Sequence, residues 1–168
     1  KEFELAIQWL MDAGLVHKVC QVSKPEAPLT FYEESDAFKL FLLDCGLLGA
    51  MNMTDATEAM LTDNIFEEYN GALTEQLVLQ ELKCVPNLPV YYYTKQNSQQ
   101  EIDFLIDIKN RAIPIEAKAG ENLQAKSLKQ FILENKSEKA IKTSLKQYKS
   151  NEIIDNVPIY ALYCYLQE

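Results

Sequence analysis

EIDFLIDIKNRAIPIEAKAG, residues 101–120, sets Asp103, Glu116 and Lys118 on two short apolar segments separated by Lys109-Asn110-Arg111. Successive strand residues face opposite sides of a sheet. On that rule Ile102, Phe104, Ile106 and Ile108 share one face, and Asp103, Leu105 and Asp107 the other. In the second segment Ile113, Ile115 and Ala117 oppose Ala112, Pro114, Glu116 and Lys118. Asn tolerates a left-handed backbone, so a turn at Lys109-Asn110 or Asn110-Arg111 brings Asp103 across from Glu116 or Lys118, with all three polar groups on one face. Cross-strand Cβ atoms lie roughly 5 Å apart. Two carboxylates at that range repel, which raises one pKa or calls for a cation. A hard divalent ion meets that need. The [DE]-x-Lys pattern by itself is weak, because it also occurs at Glu81, Asp107 and Glu134; the facing Asp103 singles out Glu116.

The chain around this hairpin has 168 residues, enough for one domain or a little more with a sizeable core. Cys20, Cys45, Cys84 and Cys164 form no Cys-x-x-Cys, and His17 is the only histidine. That argues against zinc or a disulfide framework and for a reducing, cytoplasmic setting. The apolar runs are too short for a membrane span, and the first residues are amphipathic rather than a signal peptide. Beginning at Lys1, the sequence reads as a piece of a longer protein.

Charge is unevenly spread. Residues 1–70 hold 13 acidic and 4 basic groups, which accounts for the whole net charge of -9, whereas residues 71–168 hold 12 of each. Between Lys126 and Lys149 seven lysines meet only Glu134 and Glu138, a local +5. Such a stripe either lies against phosphates or is a solvated helix face.

The opening segment has helical spacing at Phe3, Ile7 and Leu10, with Gly14 as a C-cap. LVHKVCQV then reads as a strand, KPEAP as a loop or wing, and FKLFLLD, residues 38–44, as a buried returning strand. Helix, strand, wing, strand suggests a partial winged helix over residues 1–50, in which a truncated unit would expose Trp9 and Leu10. A short helical linker at 51–63 follows, and a second domain at 64–168. The second domain reads as a helix from Ile65 to Val85, the strand VYYYTK, the hairpin, a helix from about Leu123 to Leu133 and a closing strand NVPIYALYCYL. This is an α/β sandwich around a mixed sheet. The tyrosine run suits core and rim better than base stacking.

Glu75 stands in GALTEQLVLQEL among Ala72, Val78, Leu79 and Leu82 at helical spacing, so it faces the core side. A carboxylate there is paired, bonded to a backbone amide, at the sheet edge, or a metal ligand.

Taken in order, FKLFLLDCGLL, GALTEQLVLQEL, YYYTK, EIDFLI, IPIEAKAG and VPIYALY resemble the C-terminal domain of unknown function of prokaryotic AAA-type ATPases. The resemblance spans nearly the whole chain. It implies a winged-helix or helix-turn-helix remnant followed by a PD-(D/E)XK nuclease-like core, with a P-loop ATPase preceding both in full-length relatives. No G-x-x-x-x-G-K-[ST] occurs here, so neither ATP binding nor hydrolysis is expected of these residues. Carried over residue by residue, Glu75 matches the helix glutamate, Asp103 the motif aspartate, and Glu116 with Lys118 the E-x-K pair. Ile102 stands where the superfamily pattern has proline. Gln130, Lys126 or Lys129 would match the polar helper of the following helix.

The resemblance further implies that Asp103, Glu116 and the Ala117 carbonyl hold Mg²⁺ or Mn²⁺, that Glu75 orients a water or a second ion, and that Lys118 stabilises charge at phosphorus. Lys126 and Lys129 would hold a DNA backbone without reading its sequence. The resulting expectation is a DNA-interacting domain with metal-dependent phosphodiester hydrolysis. Its main rival is a catalytically silent nuclease fold serving DNA binding, assembly or regulation of the ATPase. A third class, a protein-interaction domain, would use the acidic first 70 residues to dock a basic partner.

Overall fold

The turn at Lys109-Asn110 fixes the centre of the fold. In the computed structural model, which describes residues 2–52, 67–95, 100–119 and 125–167, Lys109 and Asn110 both take left-handed backbone (φ 53° and 61°). Two consecutive residues of that kind make the tight loop whose twist matches a hairpin. The loop joins β4 (Glu101–Ile108) to β5 (Arg111–Ala117) in a register from Ile108 opposite Arg111 to Phe104 opposite Ile115. The paired register stops there, and Asp103 instead meets the Ala117 backbone N–H.

This hairpin lies in the middle of an eight-stranded mixed sheet ordered β2-β1-β3-β4-β5-β6-β8-β7. β1 (Val16–Val22) and β2 (Glu33–Leu42) are antiparallel, and β1 joins β3 (Val90–Thr94) in parallel through Cys20 opposite Tyr91 and Gln21 opposite Tyr92. β3 is antiparallel to β4. Beyond β5, β6 (Ala140–Ser144) and β8 (Ile154–Pro158) run parallel, and β7 (Lys149–Ser150) closes the edge antiparallel to β8. The described residues form five α-helices: α1 (Glu2–Asp12), α2 (Cys45–Met51), α3 (Glu67–Cys84), α4 (Lys126–Asn135) and α5 (Leu162–Leu166).

Two cores flank the sheet. On one face Val78, Leu79 and Leu82 of α3 and Leu162 of α5 bury against Phe104, Ile106, Ile115 and Ile141. On the other, Leu128, Phe131 and Ile132 of α4 bury against Tyr91, Ile102 and Leu105. Tyr91 and Tyr92 are buried on opposite faces, as a strand dictates, so the tyrosine run belongs to the core.

Strict alternation fails at one place. Ile102 belongs with Leu105 on the α4 face, not with Phe104 and Ile106 on the α3 face. The β3–β4 register shifts between Tyr91 and Tyr93, and such an irregularity puts an extra residue in one strand and re-aims its neighbours. Asp103 stands at that slip.

Other expectations change for physical reasons. β2 starts at Glu33 and is an edge strand in which only Phe41 is fully buried, because one side has no neighbouring strand. α1 ends as expected, with Gly14 at φ 71° and Leu15 N–H donating to Leu10 O, yet Phe3, Trp9 (66 % exposed) and Leu10 face solvent. The closing segment is a strand only to Pro158; Ile159–Ala161 turn in a 3-10 helix and α5 follows, because Leu162 buries against α3 at helical spacing. β6 was not foreseen, and it splits the lysine run. Lys126 and Lys129 lie on α4, Lys136 caps it with left-handed backbone, Lys142 is on β6 and Lys149 on β7, so the seven do not form one helix face. Of the expected linker, residues 53–63 lie outside the described residues, as do the expected helical positions 65–66 and 123–124. Among the described residues no helix is long and apolar enough to cross a membrane.

Candidate functional site

Lys39, Glu75 and Asp103 come together where α3 lies against the sheet. Val78, Leu79 and Leu82 anchor α3 in the core, and Glu75, one turn before Val78 and Leu79, is left about a third exposed, 3.5 Å from Lys39 Nζ. Lys39 also forms an ion pair with Glu101 and sits 5.2 Å above the Tyr92 ring. Burial alone would lower its pKa, but the Glu101 hydrogen bond and the charges of Glu75, Glu101 and Asp103 raise it on balance. Lys39 is therefore a fixed cation among three carboxylates.

Asp103 Oδ2 accepts a hydrogen bond from the Ala117 backbone N–H at 2.8 Å. Part of the residue still reaches solvent, but its carboxyl is enclosed, and burial is the main force pushing its pKa up to about 7. The neighbouring charge of Glu75 adds to the rise and that of Glu116 adds less, while the Ala117 amide and Lys39 oppose it.

Glu116 is 4 % exposed. Its Oε1 lies 2.6 Å from Lys118 Nζ, and its Oε2 is buried with no hydrogen-bond partner. The Lys118 backbone is pinned by donation to Thr143 O at 2.9 Å, which fixes where the strand end points its side chains. Because Ala117 packs on the α3-side core, Glu116 and Lys118 alternate to the other side, and Asp103 reaches them across the Ala117 backbone.

The sequence-expected set is thus brought together in part. Asp103 feels the charges of Glu75 and Glu116, and Lys118 pairs with Glu116. Lys126, Lys129 and Gln130 are exposed on α4; Gln130 Nε2 donates to Glu134 Oε1 at 3.0 Å, and Glu134 is paired with Lys95 at 2.9 Å. Gln130 is engaged away from the hairpin. Sequence reasoning missed Lys39 and Glu101. Glu101 adjoins the motif and was open to notice, whereas Lys39 comes from an edge strand 64 positions before Asp103 and carries no local mark.

Among the described residues no three His, Cys, Asp or Glu side chains converge on a ready metal cage. The donors suited to a hard cation are the carboxylates of Asp103 and Glu116, with the Ala117 carbonyl next to Glu116 in sequence. The partnerless Glu116 Oε2 is the observation that favours the fit, since a buried carboxylate oxygen without a donor is costly.

The chain belongs to the family described as domain of unknown function DUF4143, whose profile matches residues 70–162. That span contains Glu75, Asp103, Glu116 and Lys118. Residues 1–58, which contain Lys39, are similar to a second domain of unknown function, DUF8612. No curated protein and no solved structure matches the chain.

Proposed function

We propose that this chain is the C-terminal part of a prokaryotic AAA-type ATPase: a winged-helix remnant (residues 1–50), a linker (51–63) and a PD-(D/E)XK nuclease-like domain (64–168). In this reading the domain works on DNA in the cytoplasm, as a Mg²⁺- or Mn²⁺-dependent phosphodiesterase. The observation that carries the reading is the buried, partnerless Oε2 of Glu116 close to a second carboxyl, Asp103, whose pKa is pushed up to about 7. Enclosed carboxyl groups of this kind, one with an oxygen that Lys118 leaves unfilled, suit a bound cation.

Asp103, Glu116 and the Ala117 carbonyl would hold the ion. When bound, such an ion stabilises charge on a phosphoryl oxygen and eases ionisation of water. Lys118, held by Glu116 Oε1, supplies a pre-placed ammonium for the charge that develops at phosphorus. Glu75, tethered by Lys39, orients water at the open side of Asp103.

One observation favours the silent alternative. Lys39 already neutralises part of the carboxylate cluster, as a cation built into the fold would if the site had become structural. Mn²⁺ titration by calorimetry separates the readings. Binding in the parent that is lost in both Asp103→Ala and Glu116→Ala, followed by metal-dependent cleavage of DNA, supports the phosphodiesterase; no Mn²⁺ binding in the parent moves the assignment to a silent module.

A further inference from the structure

A second site lies on the strand beside the E-x-K pair. Lys142 on β6 is in register with Glu116 on β5. From Lys142 a groove of about 720 Å³ runs along the β6–β7 loop, past Lys146, Tyr148 and Lys149 to Asn156. Among the described residues none of Lys129, Lys142, Lys146 and Lys149 takes part in an ion pair. They act on one another instead: burial lowers the Lys142 pKa, and the charges of Lys129, Lys146 and Lys149 lower it further. Unbalanced like charges of this kind cost stability until an anion arrives.

The loop is braced by side-chain hydrogen bonds. Buried Asn156 accepts from Ser144 Oγ at 3.1 Å and donates Nδ2 to Gln147 O at 2.9 Å, while Lys146 N–H donates to Ser144 Oγ at 3.2 Å. These bonds hold the stretch from Lys146 to Lys149 in one shape. Tyr148 is 55 % exposed, and its ring leans on Tyr165 at 6.2 Å between centroids, so it is braced while much of it stays open. Spaced cations with an exposed, braced aromatic ring between them match an unpaired nucleic-acid strand, whose phosphates follow the charges while a base stacks on the ring. A duplex keeps its bases stacked inside and gains nothing from the ring.

We propose that the groove walled by Lys142, Lys146 and Lys149 binds a single strand of DNA, with Tyr148 as the stacking platform and Lys129 extending the phosphate track. The proposal rests on the nucleic-acid side of the reading above and not on its chemistry. A strand held there passes one β-strand away from Glu116 and Lys118.

The test is fluorescence anisotropy of a labelled oligothymidylate of roughly 15 nucleotides, in EDTA, beside a duplex of the same length. The proteins are the parent, Lys146→Glu/Lys149→Glu and Tyr148→Ala. Expected are tighter binding of the single strand than of the duplex and at least ~10-fold loss in the lysine pair, with a log–log salt slope reduced by about 2. Tyr148→Ala should lose roughly 5-fold or more. Both lysines are exposed, and Lys146→Gln/Lys149→Gln repeats the test with milder charge change. No binding by the parent, tighter binding of the duplex, or unchanged affinity in both lysine pairs overturns the proposal. The Mn²⁺ titration reads the metal site separately, so either assignment can fail while the other stands.

Discussion

Asp103 carries an acid whose ionised form the fold disfavours, and this has a sign that can be worked out. Its carboxyl titrates at 3.8 when unperturbed and at about 7 in the folded chain. Below 3.8 both states hold the proton and the site costs nothing. Between the two values the unfolded chain releases its proton first, so stability falls as pH rises, and above about 7 the full cost is present. A difference of this size is worth at most about 4 kcal/mol. Asp103→Asn should therefore be progressively more stable relative to the parent from pH 5 to pH 8 in EDTA, as read from urea midpoints. An equal difference at both pH values would show that burial does not hold the proton on Asp103. Lys39→Met removes a cation that opposes this rise, so the Asp103 titration followed by carboxyl NMR should move upward.

At the scale of elements, the end of α4 holds a strained backbone that another residue would relieve. Lys136 closes α4 at φ 51°, with its N–H donating to Ile132 O, a position that glycine fills without steric cost. Lys136→Gly should raise stability by about 0.5–1 kcal/mol in urea melts; a loss would mean that the Lys136 side chain stabilises more than its backbone costs. Leu79→Ala, fully buried on α3 above Phe104 and Ile106, should cost about 2–5 kcal/mol by the same measurement. The hairpin was legible in the sequence because its causes are local: alternating apolar residues and a turn with Asn110 in it. The slip that sends Ile102 to the other face was not, because it arises from pairing with β3, which is distant along the chain. β6 was hidden for a related reason. Its apolar core is only Ala140 and Ile141 beside Lys142, too brief to stand out in a lysine-rich stretch. Tyr148, between Lys146 and Lys149, was in plain view, but its meaning depended on the loop that Asn156 shapes.

Across the whole molecule, the sheet runs unbroken from β2 to β7 and passes from the residues similar to DUF8612 into those of DUF4143. Lys39 contributes to the carboxylate cluster from the first part, and Phe41 is buried in the α3-side core. A shared sheet and shared core imply shared cooperativity. Circular dichroism and Trp9 fluorescence should report one coincident urea transition, whereas two separated transitions would show that the β1–β3 junction does not couple the parts. The Glu75, Asp103, Glu116 and Lys118 set was readable by its residue types, but its arrangement around the Ala117 backbone, with Lys39 reaching in from an edge strand, depended on the assembled sheet.

The opposite edges of that sheet differ in sign. β2 presents Glu33, Glu34 and Asp36, while the far side presents Lys146 and Lys149. The sheet is in effect an electric dipole laid along its width. A polyanion nearby exerts a torque on such a body, turning the lysine edge inward and the β2 edge away before any contact forms. Encounters then begin in a preferred orientation, and added salt shortens the distance over which the turning acts.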